Sequence, residues 1–177
     1  MNIFKKKAAF ITILTSAILI ASLYGALHNQ ISYSISPEYF TRFKFQQFDI
    51  DTRLPPRIGA AFVGVRATWW MGLLIGLIIA LAGAIQKNVK MMIRIAYESY
   101  ALIFLFTFTA GLFGLLYGIF YLSNLDIYNF SYWYIPENLQ DIKAFISVGE
   151  MHNFSYLGGL MGLPFGVWWQ FYRRRRS

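Results

Sequence analysis

The chain has two histidines, His28 and His152. Each is followed by an asparagine, Asn29 and Asn153, and each stands in or beside a string that holds a carboxylate, Glu38 and Glu150. Imidazole and carboxylate together can ligate zinc or another divalent metal, or move a proton as an acid–base pair. In a metal site, Asn29 and Asn153 would hold the second ring nitrogens and so fix the tautomers. Asp126 and Glu137 are further carboxylates of the same region. The competing reading makes these residues ordinary helix-end groups. A histidine complements the negative end of a helix, and Asn153 and Ser155 can cap the start of one. The spacing of the four candidate metal ligands, His28, His152, Glu38 and Glu150, is long-range, and both readings stay open. No HExxH, GxSxG or phosphate-loop pattern assigns a catalytic residue. The absence of Cys excludes disulfide frameworks, thiol chemistry and Cys-ligated metals.

Whether the histidines can meet depends on the elements that carry them. The 177 residues are 57% hydrophobic and only 14% charged, against roughly 25% charged for a soluble domain. A soluble enzyme and a soluble nucleic-acid binder are excluded. Four uncharged stretches are long enough to cross a bilayer, at about 8–27, 67–86, 99–122 and 153–172. The first sits behind Lys5, Lys6 and Lys7; Tyr24 is too bulky for a cleavage site near Ala26, so an uncleaved anchor is expected. The expected fold is an all-α membrane protein, one domain over 1–177, a four-transmembrane-helix bundle with outer segments 28–66 and 123–152.

Orientation follows from the cations. With the N-terminus inside, Lys5, Lys6, Lys7, Lys87, Lys90, Arg94 and Arg173 to Arg176 are cytoplasmic, while Arg42, Lys44, Arg53, Arg57, Arg66 and Lys143 spread over the longer outer segments. All acidic residues except Glu98 then lie outside. Both termini are expected in the cytoplasm. Trp69 and Trp70 would mark the outer interface, Trp168 and Trp169 the inner one. This topology brings His28, leaving the first span, and His152, entering the fourth, to one depth on the outer face. The inner basic residues, Lys87, Lys90 and Arg94 on one face of a short helical linker among them, suit anionic lipid headgroups, and the same charges account for the basic balance without nucleic acid.

Glycines recur every four residues in span four (Gly158, Gly162, Gly166), with Ala110, Gly114 and Gly118 in span three and Gly72 and Gly76 in span two. Small residues at this interval let helices approach closely. Internal packing is expected; a homo-oligomer face is the alternative, and Pro164 should kink span four. Outside, Ser36-Pro37-Glu38 reads as a helix start. Arg42 to Phe48 alternates in a strand-like manner and is expected along the interface. A short helix is expected from Pro136 to Gly149. Asn129 and Asn153 open Asn-Phe-Ser triplets of the glycosylation pattern. No span carries a charge, which disfavours an ion-coupled transporter.

The strings HNQISYSISPEYF, ATWWMGL and MHNFSYLGGLMG together resemble a family of uncharacterised bacterial four-span inner-membrane proteins. In that family an HDQ string follows the first span, where this chain has Asn29; a possible carboxylate ligand is missing here. The resemblance implies architecture and a bacterial inner membrane and no reaction. The function expected is that of a binding or accessory protein with a polar site on its outer face. A membrane-embedded enzyme or divalent-metal-binding protein using His28 and His152 is the alternative, and a small transporter subunit a third.

Overall fold

The computed structural model describes residues 3–125 and 133–176. Those residues are helical almost throughout and contain no strand. Four long helices dominate: α1 (Ile3–Ile35), α3 (Pro56–Gly83), α4 (Val89–Phe120) and α5 (Ile142–Arg175), with the three-residue α2 (Phe45–Gln47) continuing a π-helical turn at Tyr39–Lys44. Three helical stretches, Ile3–Ile35, Pro56–Gly83 and Val89–Asn124, are long and apolar enough to cross a membrane. At 34 residues α5 has the length, but Glu150, His152, Asn153 and Gln170 lower its apolar character.

Each long helix starts earlier or ends later than its uncharged stretch, because nothing at the stretch boundary stops it. α1 passes through His28 and Asn29 to Ile35; α3 starts at Pro56, whose missing N–H is no loss at a first helical position. Trp69 and Trp70 consequently lie mid-helix. The linker after α3 is a turn rather than a helix; Asn88 caps α4 by accepting from Met91 N–H at 2.9 Å, and Lys90 and Arg94 belong to α4 itself.

Two outer-segment expectations are corrected. Arg42 to Gln47 is helical and Phe48 a turn, not strand-like. The Phe40 and Phe45 side chains are five residues apart, the interval a π turn brings onto one face, and both are buried in a cluster with Tyr39, Ile50, Val63, Phe145 and Val148. Ser36 does cap this segment, accepting from Tyr39 N–H at 3.4 Å. The expected Pro136–Gly149 helix does not form. Helix α5 begins at Ile142, where the Asp141 side chain accepts from Ala144 N–H at 2.9 Å, and runs through Gly149. Gly149 serves packing: a Cβ there would lie 2.5 Å from Trp133. Asn153 and Ser155 are therefore mid-helix and cap nothing, and Pro164 sits inside α5 without ending it.

The glycines set the packing. Along α1 and α3, Gly25 meets Gly64 backbone to backbone, and a Cβ on Gly72 would lie 2.7 Å from Ala17 O. Along α4 and α5, a Cβ on Gly114 would lie 2.6 Å from Glu150 O, one on Gly118 2.5 Å from Ser147 Cα, and one on Gly158 2.6 Å from Ala110 Cβ. The bundle is thus two close antiparallel pairs, α1 with α3 and α4 with α5. Hydrogen bonds tie the pairs together: Tyr100 donates to Ile13 O at 2.7 Å and Tyr156 to Ala67 O at 2.9 Å. At the end holding the N- and C-terminal residues, the buried Gln86 donates to Gln170, which donates to Ser99.

Candidate functional site

Close pairing within each helix pair leaves space between the pairs. A cavity of about 380 Å³ opens there, lined by residues of all four long helices and the Tyr39–Phe48 segment. One end is polar: His28, Asn29, Lys44, Gln47, His152 and Asn153. The other is mostly apolar, with Ala17, Ile20, Ile75, Ile103 and Phe104. From His28 to Ala17 is three turns of α1, about 16 Å.

The two histidines do meet. Their ring centroids are 4.8 Å apart and the rings are perpendicular. Tyr39 stacks on His152 at 5.0 Å. Helix α5 supplies one hydrogen-bond partner of His152, since the Val148 carbonyl lies 2.8 Å from its Nδ1 one turn earlier. Helix α1 brings a second oxygen to the ring, Asn29 Oδ1 at 3.0 Å from its Nε2; both oxygens accept, so the neutral imidazole donates to one of them. The Asn29 amide is itself oriented by donation to Ala60 O at 2.9 Å. Asn29 therefore acts as the expected second partner of a histidine, but of the histidine on the opposite helix.

His28 differs. It is 8% exposed, with Tyr24 Oη 3.3 Å from its Nδ1 and 3.4 Å from Ser155 Oγ, so the one phenol proton can serve either partner. Its Nε2 is buried with no hydrogen-bond partner among the described residues. Leaving such a group unsatisfied costs about 1–3 kcal/mol. The helix-end reading is corrected for both residues, because α1 and α5 continue past them.

The carboxylates do not join the histidines. Glu38 accepts from the backbone N–H groups of Gln140 and Asp141 at 3.0 Å, tying the turn after α1 to the start of α5. Glu150 is engaged with Asn153. Among the described residues no three His, Asp or Glu groups converge as metal ligands. Asp126 and the Asn129 triplet lie outside the described residues.

Residues not singled out from sequence complete the polar end. Lys44 bonds Gln47 Oε1 at 2.7 Å and stands over the Phe43 ring at 4.3 Å. It has no carboxylate partner among the described residues, and burial lowers its amine to about 8. Tyr39 is 4% exposed, and its phenol is pushed up, chiefly by burial, then by Tyr156 and Glu150. The signal for Tyr39 was its place in the SPEYF string; Lys44 and Tyr24 carried none beyond their residue types.

Compared with protein-family models, curated proteins and solved structures, the chain matches none.

Proposed function

We propose that the chain is a bacterial inner-membrane protein with four membrane-spanning helices and both termini cytoplasmic, acting as a binding or accessory protein through the cavity between its helix pairs. The observation that carries the reading is that cavity: its polar end gathers His28, Asn29, Lys44 and His152, and its remainder is apolar. Small-molecule sites have this build, a largely apolar concavity of ~300–1,000 Å³ with a few convergent polar groups. Helix α5 makes the fourth crossing, as its close packing along the apolar α4 suggests. Its polar residues are satisfied inside the bundle: His152 by Asn29, Ser155 by Met151 O, Gln170 by Ser99. On the inner side, the cations of Lys5 to Lys7 and Arg173 to Arg176 meet anionic headgroups. A polar-solute transporter subunit fits less well, since the deep part of the cavity offers few polar groups.

Reporter fusions test the topology. Fusions after Asn88 and at Ser177 should read cytoplasmic and one at Asp51 periplasmic; a periplasmic C-terminus would remove both the fourth crossing and the outward-facing site.

The runner-up, a divalent-metal-binding protein or metalloenzyme, is favoured by one observation, the unpartnered His28 Nε2 beside a second imidazole. Against it, both nitrogens of His152 already face oxygen partners. Metal analysis of the purified protein separates the two. The binding reading expects well under one zinc per chain, and a stoichiometric metal lost in His28→Ala would establish the runner-up.

A further inference from the structure

The cavity's two ends define the chemistry of an occupant; the argument rests on reading the cavity as a binding site. At the polar end the Lys44 ammonium has no carboxylate partner among the described residues; it meets the Gln47 amide oxygen and the ring faces of Phe43 and Tyr39. At the same end the buried Nε2 of His28 lacks a partner. An anionic oxygen would supply a counter-charge for the amine and, in the tautomer whose Nδ1 accepts from Tyr24 Oη and whose Nε2 carries the proton, an acceptor for the ring.

The apolar end excludes a small free anion as the whole ligand. Below the histidines the wall is Ile20, Ile75, Ile103 and Phe104, reaching Ala17 about 16 Å down α1. The space there is lined by α1, α3 and α4. Its volume of about 380 Å³ lies near the lower bound of small-molecule sites and admits one chain, not two.

We propose that the cavity binds a single-chain amphiphile with an anionic head, the head between Lys44 and His28 and the chain running between the helix pairs toward Ala17. Carboxylate and phosphate heads share this chemistry. Gly159 helps form the wall on α5. A Cβ there would meet only Thr107 Oγ1, at 3.4 Å, in ordinary contact, whereas one on the neighbouring Gly158 would collide with α4. Gly159→Leu therefore fills the cavity without breaking the α4–α5 contact.

The test uses the full chain in zwitterionic lipid nanodiscs. Laurate, dodecyl phosphate, dodecanol and inorganic phosphate are measured by equilibrium dialysis against empty discs. One laurate or dodecyl phosphate should bind per chain above partitioning, with the preferred head naming the source. Dodecanol should bind at least tenfold more weakly and inorganic phosphate should not compete. Lys44→Met should weaken the anionic probes about tenfold and leave dodecanol unchanged, and Gly159→Leu should abolish saturable binding. Should Gly159→Leu fail to fold, Ile20→Trp narrows the same space from α1 and carries the same expectation. Equal affinity for dodecanol, indifference to Lys44→Met, or tight binding of inorganic phosphate alone would overturn the proposal. Reaction of an Ala67→Cys thiol in the cavity wall with an aqueous reagent, without amphiphile binding, sinks the ligand class alone. No reaction sinks the cavity reading with it.

Discussion

At the scale of residues, the histidines behave as one unit. His28→Ala and His152→Ala each dismantle the same perpendicular pair, so the double variant should lose no more thermal stability than the worse single one; additive losses in detergent melting would make them independent. Asn29→Leu removes the oxygen that faces His152 Nε2 and the side-chain donor to Ala60 O and should destabilise by about 1–3 kcal/mol. Asn153→Ala, at an exposed position, should cost much less. Lys44 makes a signed pH prediction. Its folded-state amine is lowered from 10.5 to about 8 by burial. Between those values the unfolded chain binds the extra proton, so stability should rise with pH through that window. Lys44→Met should flatten that part of the profile; an unchanged slope would show that Lys44 is not the group responsible. The meeting of His28 with His152 was legible from topology alone, because each lies at the matching edge of an uncharged stretch. Their hydrogen-bond partners were not. Asn29 reaches across to the opposite helix, and Glu38 is taken by two backbone N–H groups 102 and 103 residues away. Such choices depend on side-chain directions that one-dimensional spacing does not encode.

At the scale of elements, the four-residue glycine repeats translated directly into helix contacts, since small residues at one-turn intervals have one structural use when nothing else fills the face. Gly162→Leu places a side chain where a Cβ alone would meet Phe106 Cβ at 3.0 Å and Ile103 Cα at 3.1 Å. It should cost about 1–3 kcal/mol. Gly83→Leu, whose Cβ would meet nothing closer than Met92 Cγ at an ordinary 3.4 Å, should be milder, and equal melting temperatures would remove the tight interface. Helix ends were less legible. Gly149 looked like a stop but is spaced for Trp133, and Pro136 looked like a start but yields to Asp141, the residue whose side chain reaches a free N–H. The alternation at Arg42 to Phe48 misled because a π turn also separates neighbouring aromatics, bringing Phe40 and Phe45 together at 6.5 Å.

At the scale of the whole molecule, two tightly joined helix pairs meet through a few hydrogen bonds and leave an elongated cavity with a cationic, imidazole-lined end. No single stretch of sequence announces that cavity, which exists only because glycines draw α1 to α3 and α4 to α5 more closely than the pairs approach each other. Its opening to the outer face is the central claim. The cysteine-free sequence allows a direct test by single-thiol labelling in spheroplasts. Ala67→Cys puts a near-isosteric thiol on the cavity wall, while Leu157→Cys puts one on the outward surface of α5, where Leu157 is 49% exposed to the surroundings. Thiols react as thiolates and need water. A small, membrane-impermeant, anionic methanethiosulfonate added from outside should modify Ala67→Cys rapidly and Leu157→Cys hardly at all. Modification of Ala67→Cys only from the cytoplasmic side, or equal protection of both thiols, would contradict an outward-opening cavity.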